Sequence, residues 1–199
     1  MIYHIIATLA GFLLDLILGD PYWLPHPIRL IGNWISFLEK KLIGKKEEKR
    51  HTTPEQEKRR GVFLVLAVLT MTVLFTAVIL LSAYRIHPYI GIFIESIMTY
   101  QILATKCLKV ESMKVYQQLE TGDIEASRKA VSMIVGRDTE QLDETGVAKA
   151  AIETVAENTS DGVIAPMIYT AIGGPILGFL YKAVNTMDSM VGYKNDRYL

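Results

Sequence analysis

Glu153 and Glu157 stand four residues apart, so a helix through them carries both carboxylates on one face, with Asn158 and Asp161 following at its C-terminal end. Like charges at that spacing repel. A cation removes the penalty, and carboxylate and amide oxygens suit Mg²⁺ holding a phosphate group. A solvated acidic face is the plainer reading of any Glu-x-x-x-Glu pair. Here, however, Asn158-x-x-Asp161-Gly162 runs directly into an apolar segment, where polar groups are costly to keep. Beyond that segment, which Gly173-Gly174-Pro175 interrupts, comes a second polar cluster: Lys182, Asn185, Asp188, Ser189, Tyr193, Lys194, Asn195 and Arg197. Its cations suit anionic substrate groups. A basic interfacial flank with belt tyrosines explains the lysines and tyrosines but not Asn185, Asp188 and Asn195.

Three further positions have chemistry of their own. Gly136-Arg137-Asp138-Thr139 reads as a tight polar turn in which Arg137 can grip a carboxylate or phosphate; a capped Arg-Asp turn is the simpler alternative. His26, held between Pro25 and Pro27, is open to reading as a general base, a metal contact or a rigid loop residue. Asp15 lies inside the first apolar segment, where a carboxylate is functional by default unless it reaches the interface.

The elements that must position these groups are helical. The 199 residues are half hydrophobic with positive mean hydropathy, enough for one domain and unlike an ordinary soluble one. Apolar stretches at residues 2–18, 61–84 and 86–104 read as membrane spans, the second the strongest, and 162–181 as a broken or re-entrant one. The first stretch lacks a basic region before it and a small-x-small site after it, so it reads as a retained span rather than a cleaved signal. Residues 28–42 carry an amphipathic helical pattern with Trp34 at the interface. Residues 45–60 read as a solvated linker, and 105–161 as soluble helices broken at Gly136, the last one capped by Thr139 or Asp143. No strand-like alternation competes. The fold class expected is all-α, a polytopic helical membrane protein in one domain over residues 1–199.

Charge orients it. The chain balances 21 Lys and Arg against 21 Asp and Glu, but residues 39–60 concentrate nine basic against five acidic residues. The positive-inside tendency makes this loop cytoplasmic and puts 105–161 on the same side. The latter stretch is acidic on balance, which excludes a nucleic-acid surface. Cys107 is the only cysteine, so no intrachain disulfide can form. If 162–181 crossed the membrane, the two polar clusters would face opposite sides and could not share a substrate. A hairpin broken at Gly173-Gly174-Pro175 would return Lys182 to the cytoplasmic face.

Leu14-Asp15 through Gly19-Asp20-Pro21 and Pro25-His26-Pro27, the run from Ile134 to Thr139, Glu153-Thr-Val-Ala-Glu-Asn158, Asp161-Gly162, the run from Tyr181 to Thr186 and the run from Asp188 to Asn195 together resemble the adenosylcobinamide-phosphate synthase family of cobalamin biosynthesis. The resemblance covers nearly the whole chain, with several long motifs in order. It implies a cell-membrane enzyme, a ligase joining a propionate carboxylate of adenosylcobyric acid, a corrinoid, to the amine of an aminopropanol phosphate or similar amino-alcohol phosphate, driven by ATP with Mg²⁺. Such chemistry needs metal-holding carboxylates, a grip for phosphates and a base. On those chemical grounds Glu153, Glu157 and Asp161 are assigned to metal, and Arg137, Asn158, Lys182, Asn185, Lys194 and Asn195 to substrate and phosphate. His26 and Asp138 are assigned to proton transfer. Family members usually continue past the position of Leu199, so the expectation is a natural short form, a fragment paired with a second polypeptide, or an incomplete reading frame, with a C-terminal partner chain or a homo-oligomer as the assembly. Two other readings stand beside it: a transporter subunit built on broken helices and midplane carboxylates, and a non-catalytic half awaiting its partner.

Overall fold

The computed structural model describes residues 1–21, 23–44 and 53–193, and the described residues form helices and their connections without a strand. Helix α1 (Ile2–Leu18) and helix α4 (Pro88–Tyr100) pack closely, because a Cβ on Gly11 would come within 2.5 Å of Thr99 Cβ and 2.7 Å of the Ser96 carbonyl. Helix α3 (Pro54–Ile86) starts inside the stretch read as linker. Thr53 and Gln56 form a reciprocal capping box ahead of Pro54 at the first turn, a local signal strong enough to extend the apolar helix backwards through the basic residues. Its internal threonines return their hydroxyls to the backbone, Thr72 to Val68 and Thr76 to Thr72, so neither is an unsatisfied donor in an apolar rod.

The stretch expected to span from 86 to 104 contributes a helix of only 13 residues, about 20 Å long and shorter than roughly 30 Å of hydrocarbon. His87 breaks the run from α3 and caps α4 through its Nδ1, and Pro88 then sets the new direction. Amphipathic helix α2 (Pro27–Leu42) lies across the start of α3 and the end of α8 (Ala165–Val191), burying Ile35 and Leu38 with Leu64, Val68, Ala183 and Met187.

Helices α5 (Thr105–Thr121), α6 (Ile124–Ser132) and α7 (Glu144–Thr159) make a separate layer around Val115, Val131, Val147 and Ala150. Asp143 caps α7, while Thr139 is buried and donates to the Arg128 carbonyl instead. Gly136 is not the helix stop expected of it: α6 ends at Ser132, and the glycine that closes a helix in the left-handed conformation is Gly122, φ 73°, after α5.

A π-helical turn (Ser160–Ile164) joins α7 to α8, and α8 is not a rod. Gly173 and Gly174 leave helical geometry, and Gly174 takes φ 64°, ψ −166°, a region open essentially to glycine. The arms on either side fold back on one another. Tyr169 and Tyr181 stack with ring centroids 5.0 Å apart, where twelve residues of straight helix would separate them by about 18 Å. At Gly178 an added Cβ would collide with Thr170 Oγ1 and come within 2.7 Å of Ile102 Cδ1, so the missing side chain is what lets the arms close.

Two stretches, Glu55–Ile86 and Glu144–Val191, are long and apolar enough to cross a membrane, and most of each apolar window is left unburied. On α1, Ile2, Ile5, Leu9, Leu13 and Ile17 face outward, as do Phe63, Leu66, Leu74, Phe75 and Val78 on α3. A continuous apolar surface of this kind suits hydrocarbon, not water.

Candidate functional site

Folding the α8 arms together brings the ends of α1, α4 and α8, the starts of α2 and α5, and the π turn to one end of the molecule. Asp15 anchors it. Its side chain is 0% exposed, and its Oδ2 accepts the N–H of Thr105 at 2.9 Å, tying α1 to the first turn of α5. Ala104 donates to the Gly162 carbonyl at 3.1 Å, tying the same turn to the π segment. The Tyr100 hydroxyl bonds the Gly19 carbonyl, and Lys106 sends its Nζ to the Ile17 carbonyl at 2.5 Å, so the α1 exit is held from α4 and α5.

His26 serves α2 as its N-cap: Nδ1 accepts the Ile28 N–H at 3.3 Å, which leaves Nε2 to carry the proton in the neutral ring. That Nε2 lies 3.3 Å from Asp20 Oδ1, yet the two do not align into a hydrogen bond, and both atoms are buried without a partner. Lys182 is within electrostatic reach of both Asp20 and Asp161, and the Tyr181 hydroxyl also faces Asp161. Asn185 donates to Asp161 Oδ2 at 3.4 Å. Burial, together with the carboxylates of Asp20, Glu111 and Asp15, pushes the nearby Cys107 thiol above its ordinary value.

Of the residues singled out from sequence, Asp161, Lys182, Asn185 and His26 meet here. The others stand elsewhere. Glu153 is half-exposed and pairs with Arg137 at 2.7 Å and more loosely with Lys149 at 3.9 Å. Glu157 is exposed, and Asn158 turns its amide back to the Thr154 carbonyl of its own helix. Asp138 accepts from the Glu140 N–H within its own turn. Arg137 borders an open polar cavity of about 710 Å³ with Arg128, Lys129, Ser132 and Thr139. Lys194 and Asn195, like Arg197, lie outside the described residues.

Among the described residues no three His, Cys, Asp or Glu side chains are gathered to hold a metal. Glu153, Glu157 and Asp161 thus do not converge, because Glu153 turns to Arg137 and Asp161 turns across the π segment to Asn185. The donors of the described residues therefore do not form a site for a resident Mg²⁺.

Asp20 and Thr105 were not singled out from sequence as site residues. The available signal was the Gly19-Asp20-Pro21 break just past Asp15, one helical turn on; for Thr105 there was none.

At the opposite end, where Gly173 and Gly174 turn, Glu95 is buried and bound by both His4 Nδ1, at 2.5 Å, and the Tyr84 hydroxyl. His4 Nε2 reaches the Ala171 carbonyl at 3.1 Å. This network fastens α1, α3 and α4 to the tip of the hairpin.

Compared with known proteins, residues 8–199 match the family model described as CobD/Cbib protein. The cobalamin biosynthesis protein CobD of Halalkalibacterium halodurans is 43% identical over 195 residues, covering 98% of this chain and 58% of that protein. The proteins of the same name from Clostridium perfringens and Pelobacter propionicus are 47% and 45% identical over 193 and 189 residues, covering 97% and 95% of this chain and 59% and 56% of those proteins. The chain thus spans somewhat under three-fifths of the length of these relatives. No solved structure matches it.

Proposed function

This chain belongs to the CobD/Cbib protein family, and from that premise we propose that it acts in cobalamin biosynthesis as a membrane amide synthase. In this reading it joins a carboxylate of adenosylcobyric acid to the amine of an aminopropanol phosphate or a similar amino-alcohol phosphate. The observation that carries the reading, beyond the relatives' names, is the convergence of Asp20, His26, Asp161, Lys182 and Asn185 at one end of an otherwise apolar helical body. Amide formation from a carboxylate needs activation before attack. ATP would phosphorylate the carboxylate, releasing ADP; the free amine then attacks the acyl carbon, a C–N bond forms, and the C–O bond to phosphate breaks. Lys182 is placed to stabilise the anionic oxygens of that step, and Asn185 to fix Asp161 beside it. Mg²⁺ enters as part of the nucleotide substrate. Arg137, with Arg128 and Lys129 at the rim of the polar cavity, is the corresponding candidate for a phosphate-bearing group.

The same reading makes the protein multi-pass, with the charged layer of α5, α6 and α7 on the cytoplasmic side. In this reading the α8 hairpin enters and leaves the membrane from one face, which its arms, folding back within about 20 Å of the π turn, support by being shorter than roughly 30 Å of hydrocarbon. Irregular backbone at Gly173 and Gly174 is tolerated there because it is packed against His4 and Glu95. Asp15 and Glu95, the carboxylates that a transporter would use, are instead fixed at opposite ends by Thr105 and by His4 and Tyr84.

Purified protein in lipid nanodiscs, supplied with adenosylcobyric acid, aminopropanol phosphate and Mg-ATP, tests the proposal by mass spectrometry of the corrinoid. The expected result is the amide and stoichiometric ADP. No amide, with or without the segment by which the relatives exceed this chain, sinks the reading.

A further inference from the structure

The network at the hairpin tip contains one proton more than a carboxylate, a neutral imidazole and a phenol bring to it. Glu95 is buried with both oxygens engaged: Oε1 lies 2.5 Å from His4 Nδ1, and Oε2 accepts from the Tyr84 hydroxyl. The other ring nitrogen, Nε2, lies 3.1 Å from the Ala171 carbonyl oxygen. A carbonyl only accepts, so Nε2 carries a hydrogen. These three hydrogen bonds need three protons. Tyr84 brings one, and a neutral imidazole brings one, already spent at Nε2. The third lies between Nδ1 and Oε1 and is taken up from solution. It belongs to the pair, as an imidazolium beside a carboxylate or as a neutral imidazole beside a carboxylic acid.

We propose that the His4–Glu95 pair is a proton-operated clamp on the α8 hairpin. With the proton bound, His4 of α1 holds Glu95 of α4 and the Ala171 carbonyl of α8 together. Without it, one N–H remains for two acceptors. The carboxylate is the stronger acceptor, so the hydrogen moves to Nδ1 and the Ala171 bond is lost. That bond is made two residues before Gly173, where α8 leaves helical geometry, so the proton acts at the turn itself. The fastened form binds one more proton than the released form, and rising pH therefore favours release. A way to the pair is open. A cavity of about 360 Å³ is bordered by Met1, His4, Tyr84, Glu95 and Gly173, and the His4 side chain keeps 28% of its surface exposed against 4% for Glu95. Around the pair stand the Met1 amino group and Tyr3 from α1 and its cap and Tyr84 from α3, while the tip contributes Ile172, Gly173 and Gly174, none of which titrates. The clamp lies at the other end of the hairpin from Asp161 and Asn185, so it bears on how the arms are held, whatever reaction those groups serve.

The test follows protein with ¹⁵N-labelled histidine in lipid nanodiscs from pH about 5 to about 10, a range that brackets the ordinary imidazole value of about 6.5. His4→Phe identifies the His4 signals, and Glu95→Gln identifies any infrared band of a protonated Glu95. Below the step His4 should show hydrogens on both ring nitrogens, or one hydrogen together with that band; above it, one hydrogen and no band. Hydrogen exchange of residues 171–174, corrected for its intrinsic pH dependence, should quicken by about tenfold across the same step, the loss of one hydrogen bond, with α5, α6 and α7 unchanged. Glu95→Gln should abolish that step. Its amide N–H donates to Nδ1 and its carbonyl accepts from Tyr84, so all three bonds form without a bound proton and the tip stays fastened throughout. Thermal melting reports whether the variant folds, and the wild-type titration decides without it if it does not. The proposal is overturned by a His4 with one hydrogen and no carboxyl band at pH about 5, or by a proton kept to pH about 10. A protonation step that leaves exchange at 171–174 unchanged overturns it too, as does the same exchange step in folded Glu95→Gln.

Discussion

Asn185 donates a hydrogen bond to Asp161, 24 positions earlier in the chain, at 3.4 Å, where an unbroken helix would hold the two residues about 36 Å apart. The bond is possible only because the chain doubles back at Gly173 and Gly174, and it turns two polar clusters into one. A one-sided hairpin has a direct check in a Cys107→Ser background. Ser160→Cys and Asp188→Cys, both exposed, should react with a membrane-impermeant maleimide from the same side, the cytoplasmic one. Labelling from opposite sides would refute the re-entrant arrangement.

The turn depends on backbone freedom at one residue. Gly174 sits at φ 64°, ψ −166°, where a Cβ would meet only ordinary contacts, the nearest being Glu95 Oε1 at 3.6 Å, so the cost of alanine there is conformational rather than steric. Gly174→Ala is expected to destabilise the protein by about 1–3 kcal/mol. Thermal melting in detergent measures it, and an unchanged midpoint would mean that the turn relaxes freely.

Glu95 holds the hairpin tip from inside an apolar helix. Glu95→Gln keeps the shape but removes the charge that His4 and Tyr84 both address, and the expected cost is about 1–3 kcal/mol with the larger part shared by His4. Tyr84→Phe, which removes one of the two partners, should cost less than Glu95→Gln. The order of the two melting midpoints decides whether the network acts as a unit.

Cys107 reports on the charge around Asp20. Burial and the Asp20, Glu111 and Asp15 carboxylates raise its pKa, and since the thiolate is the reactive form, its alkylation should be slow at pH 8 and still rising above pH 9. Asp20→Asn removes one of the raising charges, so the pKa falls, the thiolate fraction at pH 8 grows and alkylation speeds up severalfold. Iodoacetamide kinetics followed by mass spectrometry read this out, and equal rates in both proteins would place Asp20 outside the thiol's electrostatic reach.

The Arg137–Glu153 pair is half-exposed on both sides, so Arg137→Ala should change the melting free energy by no more than about 1 kcal/mol. In the amide assay the same substitution should weaken use of a phosphate-bearing substrate. A large loss of stability instead would make the pair structural.

Much of the architecture was legible in the sequence because it rests on local physics. Long apolar runs predicted α1 and α3, helical periodicity predicted α2, and Asp143 supplied the α7 cap that was expected of it or Thr139. Local signals also explain the misses: the capping box at Thr53 lengthened α3, His87 and Pro88 shortened α4, and Gly122 rather than Gly136 closed a helix. The all-α class and the kinds of group at the candidate site were set by composition and spacing alone. Which groups meet was not. Helical spacing put Glu153 beside Glu157, but Arg137 drew Glu153 away, and a π turn aimed Asp161 at a residue from the returning arm. Asp15 and Thr105 join that end from separate helices 90 residues apart, and Asp20 comes from the loop just after α1. Periodicity carries information over one or two turns; a contact made by folding a helix back on itself depends on the backbone angles of two glycines and on what packs against them, and only the tertiary structure decides that.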